Sequence, residues 1–134
     1  MNLKQKKGIF FKIIFNVEKI RVGTIELFKY LQLEGHEISI YTTSYRKPRK
    51  IRFNFRSYGL KIRKIVSQFE NDITLKNLKL RVSKYPPAFS FDMHIDDSEG
   101  VGIEGQKFNF KTLIIAPNDL NWCNKIKQNI KAIC

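Results

Sequence analysis

The stretch KYPPAFSFDMHIDDSEG, residues 84–100, decides the fold of this chain. Its central part, FDMHIDD, is rich in apolar residues and predicts a buried strand that ends in two adjacent carboxylates, Asp96 and Asp97. Because like charges repel, such a pair requires a compensating partner. Lys84 is the one lysine of this stretch and is a candidate for that partner. We therefore expect a charged site where the strand ends.

Outward from this strand, apolar runs alternate with segments of helical periodicity. The predicted strands cover residues 8–17, 36–44, 63–68, 91–97 and 111–117. The predicted helices cover residues 24–35, 47–59, 98–110 and 118–134, and residues 69–88 are predicted mostly as loop. This alternation predicts one α/β domain over residues 1–134, with a mainly parallel five-stranded sheet that is covered on both faces.

Residues that commonly begin or end helices support the predicted bounds of two of these helices. Thr24 is the predicted N-cap of the first helix, and Gly35 is its predicted stop. Pro48 falls in the first turn of the second helix, where proline is well tolerated. The predicted apolar stripe of that second helix is Ile51, Phe55 and Tyr58.

The composition bounds the classes of partner. The 134 residues carry a net charge of +13, which favours phosphorylated ligands or nucleic acid, unless the excess of lysine only reflects compositional bias in the genome. Two cysteines without metal-type spacing fit a cytoplasmic protein and argue against a structural zinc site. The apolar start of the chain is interrupted by Lys12 and is shorter than the ~20 residues that cross a bilayer, so no membrane association is expected.

Short hydroxyl side chains follow the second predicted strand. In a parallel α/β sheet, ligands bind at the carboxyl ends of the strands, so Thr42 and Thr43 would face the same crevice as Asp96 and Asp97. Mg²⁺ is a hard cation that takes one or two carboxylates together with phosphate oxygens. Lys84 would offset the same charge, or the charge of a bound phosphate.

Four pieces of sequence, in this order, resemble the haloacid dehalogenase (HAD) superfamily, most of whose members are Mg²⁺-dependent phosphoryl-transfer enzymes. The family has a DxD motif after strand one, a threonine or serine after the next strand, a basic residue before the fourth strand and an acidic pair at its end. IYTTS matches the second motif, through Thr42 or Thr43, and Lys84 of SKYPPAF matches the third. HIDDSEG matches the fourth, with Asp97 as the expected metal ligand and Asp96 beside it.

The resemblance implies a Rossmann-like three-layer sandwich with strand order 3-2-1-4-5 and no sizeable cap domain. In that family the hydroxyl and the lysine bind the transferring phosphoryl group, and the acidic pair holds Mg²⁺. By resemblance, Thr42, Thr43 and Lys84 would therefore bind phosphate, and Mg²⁺ would bind weakly or vestigially. A phosphorylated small molecule or a phosphoprotein would be the partner.

The first motif of the family is missing. Ile9 and Phe11 are the predicted counterparts of its two aspartates, and neither side chain can attack phosphorus or bind a cation. Glu18 is the first acidic residue in this region. Loss of the nucleophile removes the covalent route, so the sequence predicts a catalytically impaired phosphatase-type protein, a pseudoenzyme.

Simpler interpretations remain open beside this one. Asp96 and Asp97 fit an ordinary strand-to-helix turn, with Asp97 or Ser98 as the cap. His94 is predicted to be a hydrogen-bonded core histidine rather than a ligand or base.

A different function is suggested by residues 45–64, which hold nine basic residues, no acidic residue and four interleaved aromatics. This segment would make the chain a non-catalytic module that binds nucleic acid or another polyanion, unless it is only a solvated helix face. The candidate contacts are Arg46, Arg49, Lys50, Arg52 and Arg56.

Overall fold

The computed structural model describes residues 12–15, 21–42 and 47–133. The strands are β1 (Lys12–Phe15), β2 (Glu37–Tyr41), β3 (Ile65–Val66), β4 (Met93–Asp96) and β5 (Thr112–Ile114). The helices are α1 (Thr24–Leu33), α2 (Pro48–Arg56), α3 (Gln68–Leu78), α4 (Glu99–Phe108) and α5 (Trp122–Ile133), with a 3₁₀ helix at Pro86–Phe89. The predicted alternation of strands and helices is confirmed, and the described strands are shorter than predicted.

The strands pair in the order β3-β2-β1-β4-β5, and every pairing is parallel. Strand β1 is central, and its last residue, Phe15, pairs with Ile40 on one side and Ile95 on the other. The residues that follow these partners, Tyr41 and Asp96, therefore stand at the same level on the two sides of β1. This register places the carboxyl ends of β2 and β4 on either side of that of β1.

The main hydrophobic core lies on one face of the sheet. Strands β2 and β4 contribute Ile38, Ile40, Met93 and Ile95. Helices α1, α2 and α5 cover these side chains with Leu27, Phe28, Leu31, Ile51, Phe55, Trp122, Ile126 and Ile130. Each such side chain contributes roughly 1.5–3 kcal/mol when fully buried.

Because successive strand residues point to opposite faces, the other face receives the alternate residues of β2 and β4. Tyr41, Val66, Phe89 and Phe91 form a smaller apolar cluster there. The alternate positions of β4 on this face, His94 and Asp96, are polar and belong to the candidate site.

The prediction of a loop over residues 69–88 is wrong for α3 and for the 3₁₀ helix. Ser67 is the N-cap of α3, and its hydroxyl accepts a hydrogen bond from the backbone N–H of Glu70 at 3.3 Å. The sequence Ser-x-x-Glu is a capping-box pattern, so the start of this helix was encoded locally. Its apolar periodicity is weak, because the helix buries few side chains, chiefly those of Asn71 and Leu75. The sequence pattern therefore did not predict it.

Two further details differ from the sequence expectations. The N-cap of α1 is Gly23, at a left-handed φ of 95°, whereas Thr24 is already the first helical residue and is buried. A Cβ at Gly23 would also come within 3.0 Å of Cys123 Sγ, so glycine suits this turn for two reasons. Tyr58 is 48% exposed, because α2 ends at Arg56 before the apolar stripe could reach it.

Candidate functional site

The end of β4 carries the site. Met93 and Ile95 belong to the main core, so the alternate residues His94 and Asp96 lie on the opposite face of the sheet. Lys84 reaches the same place from the segment that precedes the 3₁₀ helix. All three side chains are buried, with exposed fractions of 0% for His94 and 3% for Lys84 and Asp96. We call Lys84, His94 and Asp96 the buried polar cluster.

Asp96 is the hub of the buried polar cluster. Its Oδ2 accepts from Lys84 Nζ at 2.9 Å and from His94 Nε2 at 2.7 Å. Its Oδ1 accepts from the backbone N–H of Asp97 at 2.7 Å and of Ser98 at 3.0 Å. A carboxylate only accepts, so the Nε2 nitrogen of His94 carries the proton in this contact. These four hydrogen bonds match the roughly four lone-pair directions of a carboxylate.

The electrostatics of the buried polar cluster favour an ionised Asp96. Burial by itself raises the pKa of the Asp96 carboxyl, but the hydrogen bond from His94 and the charge of Lys84 outweigh it, so its pKa lies well below its usual range. Removing a single member of such a buried ion pair is costly, because the remaining charge is left without compensation.

Tyr41 is the buried neighbour of the buried polar cluster. Its ring centroid lies 5.5 Å from that of His94 and 5.3 Å from Lys84 Nζ. Its hydroxyl donates to Asn71 Oδ1 and accepts from the backbone N–H of Tyr85 at 3.2 Å. Burial raises the pKa of Tyr41 far above its ordinary value, so the phenol stays protonated. Tyr41 thereby ties α3 and the chain before the 3₁₀ helix to the sheet.

Sequence reasoning missed the role of Tyr41 and Asn71. The signal for Tyr41 was its strand position, directly before the threonine pair, where its side chain had to be buried. Asn71 lay in the region predicted as loop, so its approach to β2 could not be foreseen. The prediction that His94 is a hydrogen-bonded core histidine is confirmed.

Two of the three predicted phosphate-binding residues, Thr42 and Lys84, lie within the described residues. Thr42 is buried at the end of β2, and its backbone N–H donates to the carbonyl of Val66 at 2.9 Å. Lys84 lies against Asp96, as the charge argument expected. Thr43 falls outside the described residues.

The two acidic residues differ sharply in environment. Asp96 is buried, whereas Asp97 is exposed at the surface. Ser98 is the N-cap residue of α4, but neither it nor Asp97 supplies a side-chain cap. Asp96 instead receives the backbone N–H groups of the turn that leads into α4, so the strand-to-helix turn is itself part of the site.

The buried polar cluster fits a divalent cation poorly. Every lone-pair direction of Asp96 is already used, and one partner is an ammonium group, which a cation would have to displace. Asp97 would then be the remaining carboxylate at the turn. Among residues 12–15, 21–42 and 47–133, no group of three or more His, Cys, Asp or Glu side chains is arranged to hold a metal.

The end of β1 bears on the missing first motif. Strand β1 covers Lys12–Phe15, so Ile9 and Phe11, which lie outside the described residues, precede it in the chain. They cannot follow the strand as the family's aspartates do, and that prediction is wrong. In chain order, the residues after Phe15 are Asn16, Val17 and Glu18.

The basic segment is largely at the surface. Arg49, Lys50 and Arg56 are exposed on α2, while Arg46 falls outside the described residues. Arg52 is half-buried, and its guanidinium donates to the backbone carbonyl of Ile62. The segment therefore combines a folded inner side with a charged outer side.

Comparisons with protein-family models, with curated proteins and with solved structures find no match to this chain. Within the described part of the chain, no helix is both long and apolar enough to span a bilayer.

Proposed function

We propose that this chain is a HAD-like α/β domain of the Mg²⁺-dependent phosphatase type that has lost catalysis. The observation that carries the proposal is the ion pair of 2.9 Å between Lys84 and Asp96 at the carboxyl end of β4. By the family resemblance, a basic residue before the fourth strand and an acid at its end belong to one phosphoryl-transfer site. The Rossmann-like three-layer arrangement is part of the proposal.

The sheet supports this proposal through its order and register. The order β3-β2-β1-β4-β5 is the one that the resemblance implies. Because Ile40 and Ile95 both pair with Phe15, the ends of β2 and β4 flank the end of β1. Thr42 follows β2 and Asp96 ends β4, so these two assigned residues stand at the same end of the sheet, and Lys84 reaches that end through its contact with Asp96.

The loss of catalysis follows from the residue after β1. In the family a carboxylate there attacks phosphorus, and its counterpart in chain order is Asn16, whose side chain is an amide. An amide is too weak a nucleophile to form the covalent intermediate. Glu18 occupies the second position of the pattern, so Asn-Val-Glu replaces Asp-x-Asp. Both residues lie outside the described ranges, and their order in the chain supports the assignment.

The buried polar cluster points in the same direction. Lys84 already supplies the positive charge that the strand-end acid requires, so Asp96 has no vacant lone pair for Mg²⁺. Mg²⁺ would supply charge neutralisation at a phosphate if it bound at Asp97, and we propose that such binding is weak. Thr42 and Lys84, which are 2% and 3% exposed, are assigned to the phosphate by the family resemblance.

The experiment tests whether a carboxylate at residue 16 restores phosphatase activity. Phosphate release from p-nitrophenyl phosphate is measured with and without Mg²⁺ for the wild type, for Asn16→Asp and for Asn16→Ala. We expect Mg²⁺-dependent release only from Asn16→Asp, because only that variant restores a carboxylate nucleophile. Adding Glu18→Gln to Asn16→Asp should reduce the release, because the second position would lose its acid.

Two results would contradict the proposal. Wild-type activity that Asp96→Asn abolishes, in a variant folded by circular dichroism, would show that catalysis survives. If Asn16→Asp and Asn16→Ala are both folded and equally inactive, residue 16 is not the counterpart of the family's nucleophile.

A further inference from the structure

We propose that the outer face of α2 binds single-stranded nucleic acid. The basic face, as we define it, consists of Arg49, Lys50, Phe53 and Arg56 on α2, together with Lys61 in the following segment. It lies on a different part of the molecule from the buried polar cluster, and the proposal does not rest on the phosphatase-type function.

Helix α2 has two opposite sides of different character. Ile51 and Phe55 are buried in the main core, whereas Phe53 is 73% exposed. Arg49 and Arg56 lie four residues before and three residues after Phe53, so both neighbour it on the helix surface. Seven residues at a rise of 1.5 Å place these two arginines about 10 Å apart along the axis. An exposed aromatic ring is thus flanked by two guanidinium groups.

Among the described residues, the charges of the basic face have no acidic partner. Residues 45–64 contain no acidic side chain. Two nearby cations outside the basic face do have acidic partners, Arg63 with Glu37 at 3.1 Å and Lys64 with Glu70 at 3.0 Å. Within the described ranges, none of the four cations of the basic face has a carboxylate at salt-bridge distance. Their complementary charge is therefore expected on a ligand.

A groove continues the basic face beyond the end of α2. Arg56 and Lys61 line it, together with Gln32, His36 and the ion pair of Arg63 with Glu37. It opens at the amino end of β2, which begins at Glu37, away from the buried polar cluster. Arg56 belongs to both surfaces, so a chain-like ligand could follow cations from the helix into the groove.

The form of the basic face favours a single nucleic-acid strand. Bases that are unstacked present their faces to aromatic rings, while their phosphates contact the surrounding cations. An interfacial membrane helix would need a free apolar side, but α2 has committed Ile51 and Phe55 to the core. A lone phosphate would need converging donors, whereas these cations are spread over two helical turns. The exposed Tyr58 adds a second ring directly after α2.

The test measures binding of the full chain to fluorescein-labelled 20-nucleotide oligo(U) and oligo(dT) by anisotropy, across 25–300 mM salt. Log affinity should fall linearly with log salt, by about 0.7 for each phosphate contacted. The triple variant Arg49→Gln, Arg56→Gln, Lys61→Gln removes three cations and should make the slope shallower by about 2. At 0.1 M salt, this corresponds to a loss of affinity of roughly 100-fold.

The matched control is Lys76→Gln, Arg81→Gln, Lys111→Gln, which removes three exposed cations elsewhere and lowers the net charge equally. We expect the control to bind like the wild type. Phe53→Ala should weaken binding roughly five- to 100-fold without changing the salt slope, because stacking involves no counterion.

Several results would overturn the proposal. Equal losses in the control and in the triple variant would reduce the binding to net charge. Unchanged binding by Phe53→Ala would remove the stacking role, and with it the case for a single strand. Absence of binding to both oligonucleotides at 25 mM salt, or tighter binding to anionic phosphatidylserine vesicles, would exclude this ligand.

Discussion

The buried polar cluster and the basic face use the same kinds of charge in opposite ways. Lys84 lies 3% exposed and points at a carboxylate of its own chain. Arg49, Lys50 and Arg56 are exposed and have no acidic partner within the part of the chain that the structure describes. A buried charge has to find its partner inside the protein, because water cannot solvate it. An exposed cluster of one sign leaves its partner to be supplied from outside.

The comparison also separates stability from binding. Changes in the buried polar cluster should alter the free energy of unfolding, whereas changes in the basic face should alter binding and leave folding nearly untouched. Four predictions test the stability side of this contrast.

The largest effect is expected from Lys84→Met, which leaves the Asp96 carboxylate buried without its cation. Breaking a buried ion pair by removing one partner costs about 3–5 kcal/mol. Urea denaturation followed by circular dichroism at pH 7 measures the loss. A loss below 1 kcal/mol would mean that Asp96 finds another partner or becomes exposed, and the contrast with the basic face would fail.

The next largest loss of stability is expected from Tyr41→Phe. It removes the hydroxyl that contacts Asn71 Oδ1 and the backbone N–H of Tyr85, and both groups lose a partner in a buried place. We expect a loss of about 1–3 kcal/mol in the free energy of unfolding. The matched control is Tyr30→Phe on the partly buried ring of α1, which should cost less. Equal costs for the two variants would contradict the role assigned to Tyr41.

The dependence of the free energy of unfolding on pH below about 4 tests whether the pKa of Asp96 is depressed. Its pKa is depressed in the folded state, so its contribution is fully present above the unfolded pKa of about 4. That contribution is lost progressively as the pH falls below 4 toward the folded pKa. Wild-type stability should therefore drop in this window, and the drop should be smaller in Asp96→Asn. Parallel curves for the two proteins below pH 4 would contradict a depressed pKa.

The smallest effect is expected from Lys64→Met, which breaks an ion pair with Glu70 whose side chains are 37% and 40% exposed. Pairs of this kind contribute about 0–1 kcal/mol, because water and salt screen them. Denaturation at low salt and at 1 M salt checks this, since the difference from wild type should vanish at high salt. A loss comparable with that of Lys84→Met would erase the distinction between buried and exposed pairs.

The alternation of strands and helices was readable from the sequence, because apolar runs and helical stripes change period at most boundaries. The helix ends that glycine and proline mark were readable as well, as Pro48 shows. Helix α3 was not, because its helical signal is a capping box at Ser67 and Glu70 rather than an apolar stripe. A helix that buries only two side chains leaves almost no periodic trace.

The candidate site was predictable in composition but not in geometry. The pairing of Lys84 with a strand-end acid followed from charge alone. Which of Asp96 and Asp97 is buried depends on strand phase, and β4 ends at Asp96 so that His94 and Asp96 share a face. The hydrogen bond of Tyr41 to Asn71 spans 30 residues of chain, and no local pattern encodes such a contact.

The strand order has a consequence for the chain as it leaves the ribosome. The half-sheet β3-β2-β1 can assemble once residue 66 has emerged, but the other edge of β1 must wait for Met93 of β4. Until then, the central strand of the finished protein is an edge strand with open hydrogen-bonding groups, the kind of surface on which nascent chains aggregate. The order of synthesis thus leaves unpaired, for a time, one edge of the strand that ends up in the middle of the sheet.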